Sequence, residues 1–153
     1  MFNIVLYQPE IPPNTGNIIR LCANTGATLH LVHPLGFVLS KKTLKRAALD
    51  YVDSATIKEY KNINECLRTI KKTRVFALST KGTTLYTKVD FKPNDTLLFG
   101  SETSGLPTEI LHKNYCLEVL RVPMVEKSRS INLSNTVAIV LYEGIRQLNN
   151  TLV

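Results

Sequence analysis

The sequence predicts an α/β domain with a mainly parallel sheet that helices cover on both faces. Short apolar segments rich in Val, Leu, Ile and Phe recur along the chain, amphipathic helical patterns lie between them, and no linker or internal repeat divides the 153 residues. Continuous apolar runs are typical of strands buried on both faces, and strands that alternate with helices are typical of parallel sheets. We therefore expect a single domain over residues 1–153.

The apolar segments predict five strands in chain order. They lie at residues 2–7, 28–32, 74–79, 96–99 and 117–122. Each is short enough for a strand and is too uniformly apolar for the solvent-facing alternation of an exposed sheet. In a parallel sheet of this kind, ligands bind at the carboxyl ends of the strands, so the loops that follow them are the places to look for function.

Helical patterns fill the intervals between the strands. A first helix carries Arg20, Ser40 can cap a short second one, and Pro107 suits the first turn of a helix that begins at residue 108. The clearest pattern is at 62–72, where Asn62 is a cap, Glu65 follows three residues later, and one face is apolar. The last helix, at about 132–147, has its apolar side formed by Val137, Leu141, Ile145 and Leu148.

Charge and cysteine content restrict the class of protein. The net charge is +7, and residues 41–74 contain ten basic and four acidic side chains. Such a basic block favours nucleic acid as a partner, although a solvated lysine-rich surface explains it equally well.

The three cysteines are far apart in the sequence, as expected for buried thiols in a reducing compartment. No export signal or membrane segment is recognisable, so we expect a cytoplasmic protein with no metal and no membrane partner.

Three loops carry the candidate chemistry, and each also has a purely structural explanation. Gly100 and Gly105 fit either close approach to a ligand or a tight turn. Arg20 lies in an otherwise apolar helix and fits either an ion pair, for instance with Glu102, or a phosphate clamp. The polar residues Ser130, Asn132, Ser134 and Asn135 fit capping of the last helix.

The usual nucleotide-binding and hydrolase motifs are missing. The sequence has no GxGxxG, GxxxxGK[ST] or GxSxG, and none of the three histidines, His30, His33 and His112, lies in these loops.

Taken together, the three loops resemble the three motifs of the SPOUT RNA 2′-O-methyltransferases. The matching segments are NTGNIIR at 14–20, GSETSGLP at 100–107 and RSINLSN at 129–135. The resemblance covers nearly the whole chain. Within the family it is closest to enzymes that modify nucleotide 34 of tRNA, through YQPEIPPNTGN at 7–17, TKG at 80–82 and RVPM at 121–124.

The resemblance implies a fold and a cofactor. The fold would be the SPOUT α/β knot, whose C-terminal part forms a deep trefoil knot, a rare exception to the rule against threaded chains. The cofactor would be S-adenosylmethionine, with S-adenosylhomocysteine as the product. It would be held at positions matching Leu78, Gly100, Val122 and Ser130, with apolar contact to the adenine from Ile131 and Leu133.

It also implies roles for polar residues. Related enzymes are thought to use the arginine matching Arg20 to remove the hydroxyl proton, although guanidinium seldom gives up a proton, and holding the adjacent phosphate is an alternative role. Glu102 would orient Arg20 or a loop amide. Asn14 and Asn135 would keep the loops in register, and Arg129 and Tyr142 would contact RNA. Tyr142 has a second explanation as a residue at the edge of the core, and Ser104 replaces an arginine common in the closest relatives.

The implied partners are a second copy of the chain and a tRNA. The homodimer would form through the first and last helices, and the anticodon stem-loop would bind the basic block, with candidates Lys41, Lys42, Lys45, Arg46, Lys71, Lys72 and Arg74. The expected reaction is methylation of the ribose of nucleotide 34, cytidine or modified uridine, in leucine tRNAs. The alternatives are a catalytically silent RNA-binding module and a methylase of another RNA. Ribosomal RNA is less favoured because that branch commonly has an additional N-terminal domain.

Overall fold

The centre of the fold is a seven-stranded parallel sheet. We analysed a computed structural model of the chain and describe residues 1–39, 54–70, 73–112 and 114–148. The strands are β1 (Asn3–Tyr7), β2 (Thr28–Val32), β3 (Ile57–Tyr60), β4 (Val75–Leu78), β5 (Thr84–Leu85), β6 (Thr96–Phe99) and β7 (Cys116–Arg121), in the order β3-β2-β1-β6-β4-β7-β5. Every neighbouring pair is parallel. The predicted α/β class is confirmed.

All five predicted strands are present, and two further strands were missed. β3 has two exposed charged residues at its centre, Lys58 and Glu59, and β5 has only two residues. Neither therefore contains a continuous apolar run. Both are edge strands, where the chain needs little apolar character on the outer side.

Within the described residues, four α-helices cover the two faces of the sheet. They are α1 (Pro12–Thr25), α2 (Ile63–Ile70), α3 (Thr108–Leu111) and α4 (Leu133–Gln147). The predicted cap of α2 is present, because Asn62 Oδ1 accepts from the Glu65 N–H at 3.0 Å. The predicted helix that begins at 108 is a single turn. The helix expected after Ser40 lies outside the described residues.

Alternate side chains of the strands form two apolar clusters, one on each face. On β1, Ile4 and Leu6 belong to the cluster with α1 and α4, whereas Val5 belongs to the cluster with α2 and α3. The buried runs of β4 and β6 divide in the same way, which explains their continuous apolar sequence. Within the described residues, no helix is long and apolar enough to cross a bilayer.

The order of the strands places β7, the last strand in the chain order, inside the sheet. β7 lies between β4 and β5, although β4 and β5 are consecutive strands joined by residues 79–83. After β7 the chain continues into α4, which packs on α1. The late strand β7 is thus inserted between two earlier strands. The knot itself remains a prediction from the resemblance.

Candidate active site

A cavity of about 300 Å³ lies over the carboxyl ends of three adjacent strands. Leu78 ends β4, Phe99 ends β6, and Val122 follows β7, and all three side chains line the cavity. The start of α4 and the loop before α1 complete the lining through Asn132 and Ile11. The position agrees with the rule that parallel sheets bind ligands at the carboxyl ends of their strands.

All six residues that the sequence analysis assigned to the cofactor line this one cavity. They are Leu78, Gly100, Val122, Ser130, Ile131 and Leu133. Their chain separation exceeds fifty residues, so only the fold brings them together. Apolar side chains such as Leu78 and Ile131 share the lining with hydroxyls such as Ser79 and Thr80. This mixture suits a ligand with a flat apolar ring and a polar tail, which is the chemistry of S-adenosylmethionine.

The loop after β6 folds back on itself at Gly100. A Cβ added at Gly100 would lie 2.1 Å from the carbonyl carbon of Gly105 and 2.3 Å from the Leu106 nitrogen. The Gly105 N–H donates to the Ser101 carbonyl at 3.0 Å, and Gly105 has a φ of +68°. Of the two explanations for these glycines, the tight turn is therefore present. The turn places the loop along the cavity wall.

Glu102 fastens this loop to the start of α1. Its Oε2 accepts from the Glu10 N–H at 2.7 Å, and its Oε1 accepts from the Ile11 N–H and from Asn14 Nδ2, both at 3.1 Å. Because Pro12 and Pro13 have no N–H, the amides of residues 10 and 11 are the donors that the helix start offers, and a carboxylate is favourable there. Of the two predicted roles for Glu102, holding a loop amide is the one its contacts show.

The opposite carboxylate makes a reciprocal contact. Glu10 Oε2 accepts from the Thr103 N–H at 3.2 Å and from Thr103 Oγ1 at 2.5 Å. Each loop therefore provides one carboxylate that binds the backbone of the other. The loops after β1 and β6 are held together from both sides.

Asn132 extends this network to the last helix. Its Nδ2 donates to Asn14 Oδ1 at 2.9 Å, while its Oδ1 caps α4 by accepting from the N–H groups of Ser134 and Asn135 at 2.9 and 3.3 Å. Glu102, Asn14 and Asn132 thus connect all three predicted loops. The sequence analysis assigned Asn132 only to capping, because a cap can be recognised from local sequence and a partner 118 positions away cannot.

Four other predicted site residues do not line the cavity. Arg20 on α1, Arg129 in the loop before α4, and Asn135 and Tyr142 on α4 are all exposed. Asn135 contributes its backbone N–H to the α4 cap. Tyr142 is 49% exposed and belongs to neither apolar cluster, and both explanations of this residue stay predictions.

The basic candidates are only partly described. Lys41, Lys42, Lys45, Arg46, Lys71 and Lys72 lie outside the described residues. Arg74 is engaged within the fold, because its Nη2 donates to Asp95 Oδ2 at 2.5 Å and to the Asp90 carbonyl at 2.8 Å. The Arg74 guanidinium thus has partners within the fold although its side chain is 32% exposed, and an RNA contact at Arg74 stays a prediction.

The cysteines are protonated thiols. Burial raises the pKa of Cys22 and of Cys66 to about 12, and burial raises the pKa of Cys116 to about 11. All three are free. Among the residues that the structure describes, no group of three or more His, Cys, Asp or Glu side chains could hold a metal ion.

The fold is shared with solved structures of RNA methyltransferases. Residues 1–142 match the family described as the SpoU rRNA Methylase family, and the chain belongs to that family. The recognition of a SPOUT-type RNA methyltransferase from three loop motifs is therefore confirmed.

Individual relatives and structures agree with the family match. The chain is 55% identical over 148 residues to the tRNA (cytidine(34)-2′-O)-methyltransferase of Aeromonas hydrophila, covering 97% of this chain and 95% of that one. A solved structure that concerns 2′-OH methylation of C/U34 on tRNA has a TM-score of 0.92 and 42% identity, with 97% of both chains covered. An AdoMet-bound rRNA methyltransferase from Sinorhizobium meliloti has a TM-score of 0.83 and 28% identity, with 96% of this chain but 56% of that chain covered.

Proposed function

We propose that this protein transfers a methyl group from S-adenosylmethionine to the ribose 2′-hydroxyl of nucleotide 34 in tRNA. The observation that carries the proposal is the convergence of the six residues that the family resemblance assigns to the cofactor on one cavity at the carboxyl end of the sheet. The tRNA substrate is supported by the relatives that match this chain over nearly their whole length.

The cavity residues divide the work of holding the donor. In this proposal the cavity residues Leu78, Gly100, Val122 and Ser130 hold the donor, and Ile131 and Leu133 add apolar contact to the adenine. When bound, the donor would supply an activated methyl group to the 2′-oxygen, with S-adenosylhomocysteine as the leaving product and the hydroxyl proton released to solvent. The protein must then align the acceptor oxygen at about 3–3.5 Å from the methyl carbon.

Arg20 is the residue we assign to the acceptor side. An exposed guanidinium can bind the phosphate next to the reacting ribose and stabilise the negative charge that develops on the 2′-oxygen. The Glu102, Asn14 and Asn132 network acts indirectly, since it fixes the start of α1, and so the helix that bears Arg20, relative to the cavity.

A second copy of the chain completes the site in this proposal. Arg20, Arg129 and Tyr142 are exposed in the isolated chain and lie outside the cavity lining. On α4, Ile139 and Tyr142 are 37% and 49% exposed, which leaves an apolar strip on a helix that also contacts α1. A homodimer formed through α1 and α4 would cover this strip.

The remaining parts of the proposal follow the same family pattern. The anticodon stem-loop binds Arg129 and the basic residues Lys41, Lys42, Lys45 and Arg46. The accepted nucleotides are cytidine and modified uridine in leucine tRNAs. The C-terminal part of the chain, which includes β7 between β4 and β5, forms a trefoil knot. The protein acts in the cytoplasm.

Nucleoside mass spectrometry tests the function directly. In tRNA from a strain that lacks this protein, 2′-O-methylated pyrimidine at position 34 should disappear, and the gene for the wild-type chain should restore it whereas Arg20→Ala should not. Intact ribose methylation of tRNA in the deletion strain would contradict the proposal. A loss confined to ribosomal RNA would support the alternative substrate, and binding of tRNA without any methyl loss would support the silent RNA-binding module.

A further inference from the structure

We propose that Lys81 binds the carboxylate at the amino-acid end of the methyl donor. Lys81 lies in the loop after β4, it is exposed, and it lines the same cavity as the six cofactor residues. The inference rests on the proposed function and adds to it the anionic contact of the donor.

The backbone around Lys81 follows β4 directly and is fixed by hydrogen bonds to β7 and within its own turn. The Ser79 N–H donates to the Leu120 carbonyl of β7 at 2.9 Å, and the Gly82 N–H donates to the Ser79 carbonyl at 3.0 Å. The Lys81 N–H donates to Ser79 Oγ at 3.2 Å. A Cβ added at Gly82 would lie 2.6 Å from the Leu120 carbonyl carbon, so the loop is pressed against β7. The lysine therefore extends from a fixed turn.

The same strands position two of the cofactor residues. Leu78 is three residues before Lys81 at the end of β4, and Val122 is two residues after Leu120 in the chain that leaves β7. A ligand that contacts Leu78 and Val122 is thus within the region that a four-carbon lysine side chain can reach. Arg20, the residue assigned to the acceptor, is outside the lining.

One charged side chain in the cavity lining has no partner among the described residues. Among the described residues, the cavity lining contains two ionisable side chains, Glu102 and Lys81. Both Glu102 oxygens already accept hydrogen bonds from the start of α1. No hydrogen bond or ion pair of the Lys81 ammonium is found in the described part of the chain, so this cation is available to a ligand.

The charges of the donor indicate which of its groups would bind the Lys81 ammonium. S-adenosylmethionine carries a sulfonium and an ammonium, which a lysine repels, and one carboxylate, which it attracts. A charge-assisted hydrogen bond to that carboxylate would therefore orient the amino-acid end toward Lys81. RNA phosphate is the competing anion, and the location of Lys81 among the donor-contacting residues favours the carboxylate.

Calorimetry with two nucleosides tests this assignment. S-adenosylhomocysteine has the carboxylate and the α-amino group, whereas 5′-methylthioadenosine has the same adenosine and thioether without either. We expect Lys81→Met to weaken binding of S-adenosylhomocysteine about tenfold or more and that of 5′-methylthioadenosine less than twofold. Lys81→Arg should recover part of the loss. Lys88→Met, which removes an exposed lysine outside the lining, is the matched control and should change neither.

The other outcomes separate this inference from the function on which it rests. Equal weakening of both nucleosides would mean that Lys81 only shapes the loop, and unchanged binding of both with weaker tRNA binding would assign Lys81 to RNA phosphate. Either result would overturn the inference and leave the proposed function intact. If the wild-type protein bound neither nucleoside, the proposed function itself would fail.

Discussion

Hydrogen bonds of a few polar side chains connect the loops on which this site depends. Glu102 accepts from two backbone amides and one side-chain amide at the start of α1, and Asn132 joins Asn14 to the cap of α4. Local sequence predicted that Asn132 lies at a helix start, since a side chain that caps is recognised from the residues next to it. The bond to Asn14 depends on tertiary structure and could not be predicted in this way.

Substitutions at Asn132 separate its two functions. Asn132→Ala removes the cap and the bond to Asn14, and we expect a loss of about 1–2 kcal/mol in the free energy of unfolding together with weaker binding of S-adenosylhomocysteine. Asn132→Asp keeps an oxygen for the cap but loses the donor to Asn14, so most of the stability should remain while binding still weakens. Urea unfolding and calorimetry measure the two effects. Equal behaviour of the two variants in both measurements would contradict the separation.

His30 gives the protein a defined dependence on pH. Its side chain is 2% exposed, its Nδ1 lies 3.0 Å from the Tyr60 hydroxyl and its Nε2 lies 3.2 Å from Asn3 Oδ1. Burial, with a smaller contribution from Lys58, lowers the pKa of His30 to about 4. The unfolded chain therefore binds a proton in the range between about 6.5 and 4 that the folded chain does not, and stability falls as pH falls through that range.

This dependence can be measured with one variant. The His30 contribution should cost about 2 kcal/mol of the free energy of unfolding between pH 7.5 and pH 5. His30→Gln keeps a hydrogen-bonding side chain that does not titrate, so its stability should change less than that of the wild type over the same interval. Urea unfolding at several pH values gives both slopes. Parallel curves for the two proteins would show that His30 is not responsible.

At the scale of elements, burial decides which parts could be predicted from sequence. β1, β4 and β6 are covered on both faces, and their continuous apolar residues made them recognisable. β3 and β5 are edge strands with little apolar sequence, and their pairing is set by β2 and β7 rather than by their own residues. The contact of the loop at 79–82 with β7 could not be predicted from local sequence either, because it joins segments about forty residues apart.

Gly82 and Gly105 illustrate two different reasons for glycine, steric crowding and backbone conformation. A Cβ at Gly82 would lie within 3.0 Å of three backbone atoms of residues 119 and 120, whereas a Cβ at Gly105 has nothing within 4 Å but is attached to a residue with a φ of +68°. We expect Gly105→Ala to cost about 1 kcal/mol through its conformation alone. Gly82→Ala should cost more, since the backbone of β7 cannot move away cheaply. Urea unfolding compares them, and an equal or smaller loss for Gly82→Ala would be inconsistent with the close contact.

At the scale of the whole molecule, the residues predicted for the cofactor lie together in the structure, whereas those predicted for the acceptor do not. The six cofactor residues converge in one chain, whereas Arg20, Arg129 and Tyr142 remain on the surface. A cavity within one domain is defined by residues that a single sequence contains. In the proposed assembly, the acceptor side is a surface shared with RNA and a second copy of the chain, and a single chain does not show that surface complete.

The proposed homodimer predicts the behaviour of an α4 variant. Tyr142→Glu places a charge in the exposed strip, so we expect a monomer with unchanged secondary structure and strongly reduced methyl transfer. Light scattering and circular dichroism give the two structural results. Glu109→Lys, an exposed charge change on α3 across the sheet, is the control that should remain dimeric. A Tyr142→Glu protein that stays dimeric would exclude this strip from the interface.

Transfer of isotopically labelled methyl from S-adenosylmethionine to defined anticodon stem-loops tests the central claim most directly. One substrate has ribose at position 34, and a matched one has 2′-deoxyribose at that position and ribose elsewhere. We predict that the wild-type protein labels the first substrate and leaves the second unlabelled. Equal labelling of both, or labelling of neither by a protein that binds S-adenosylhomocysteine, would contradict the account.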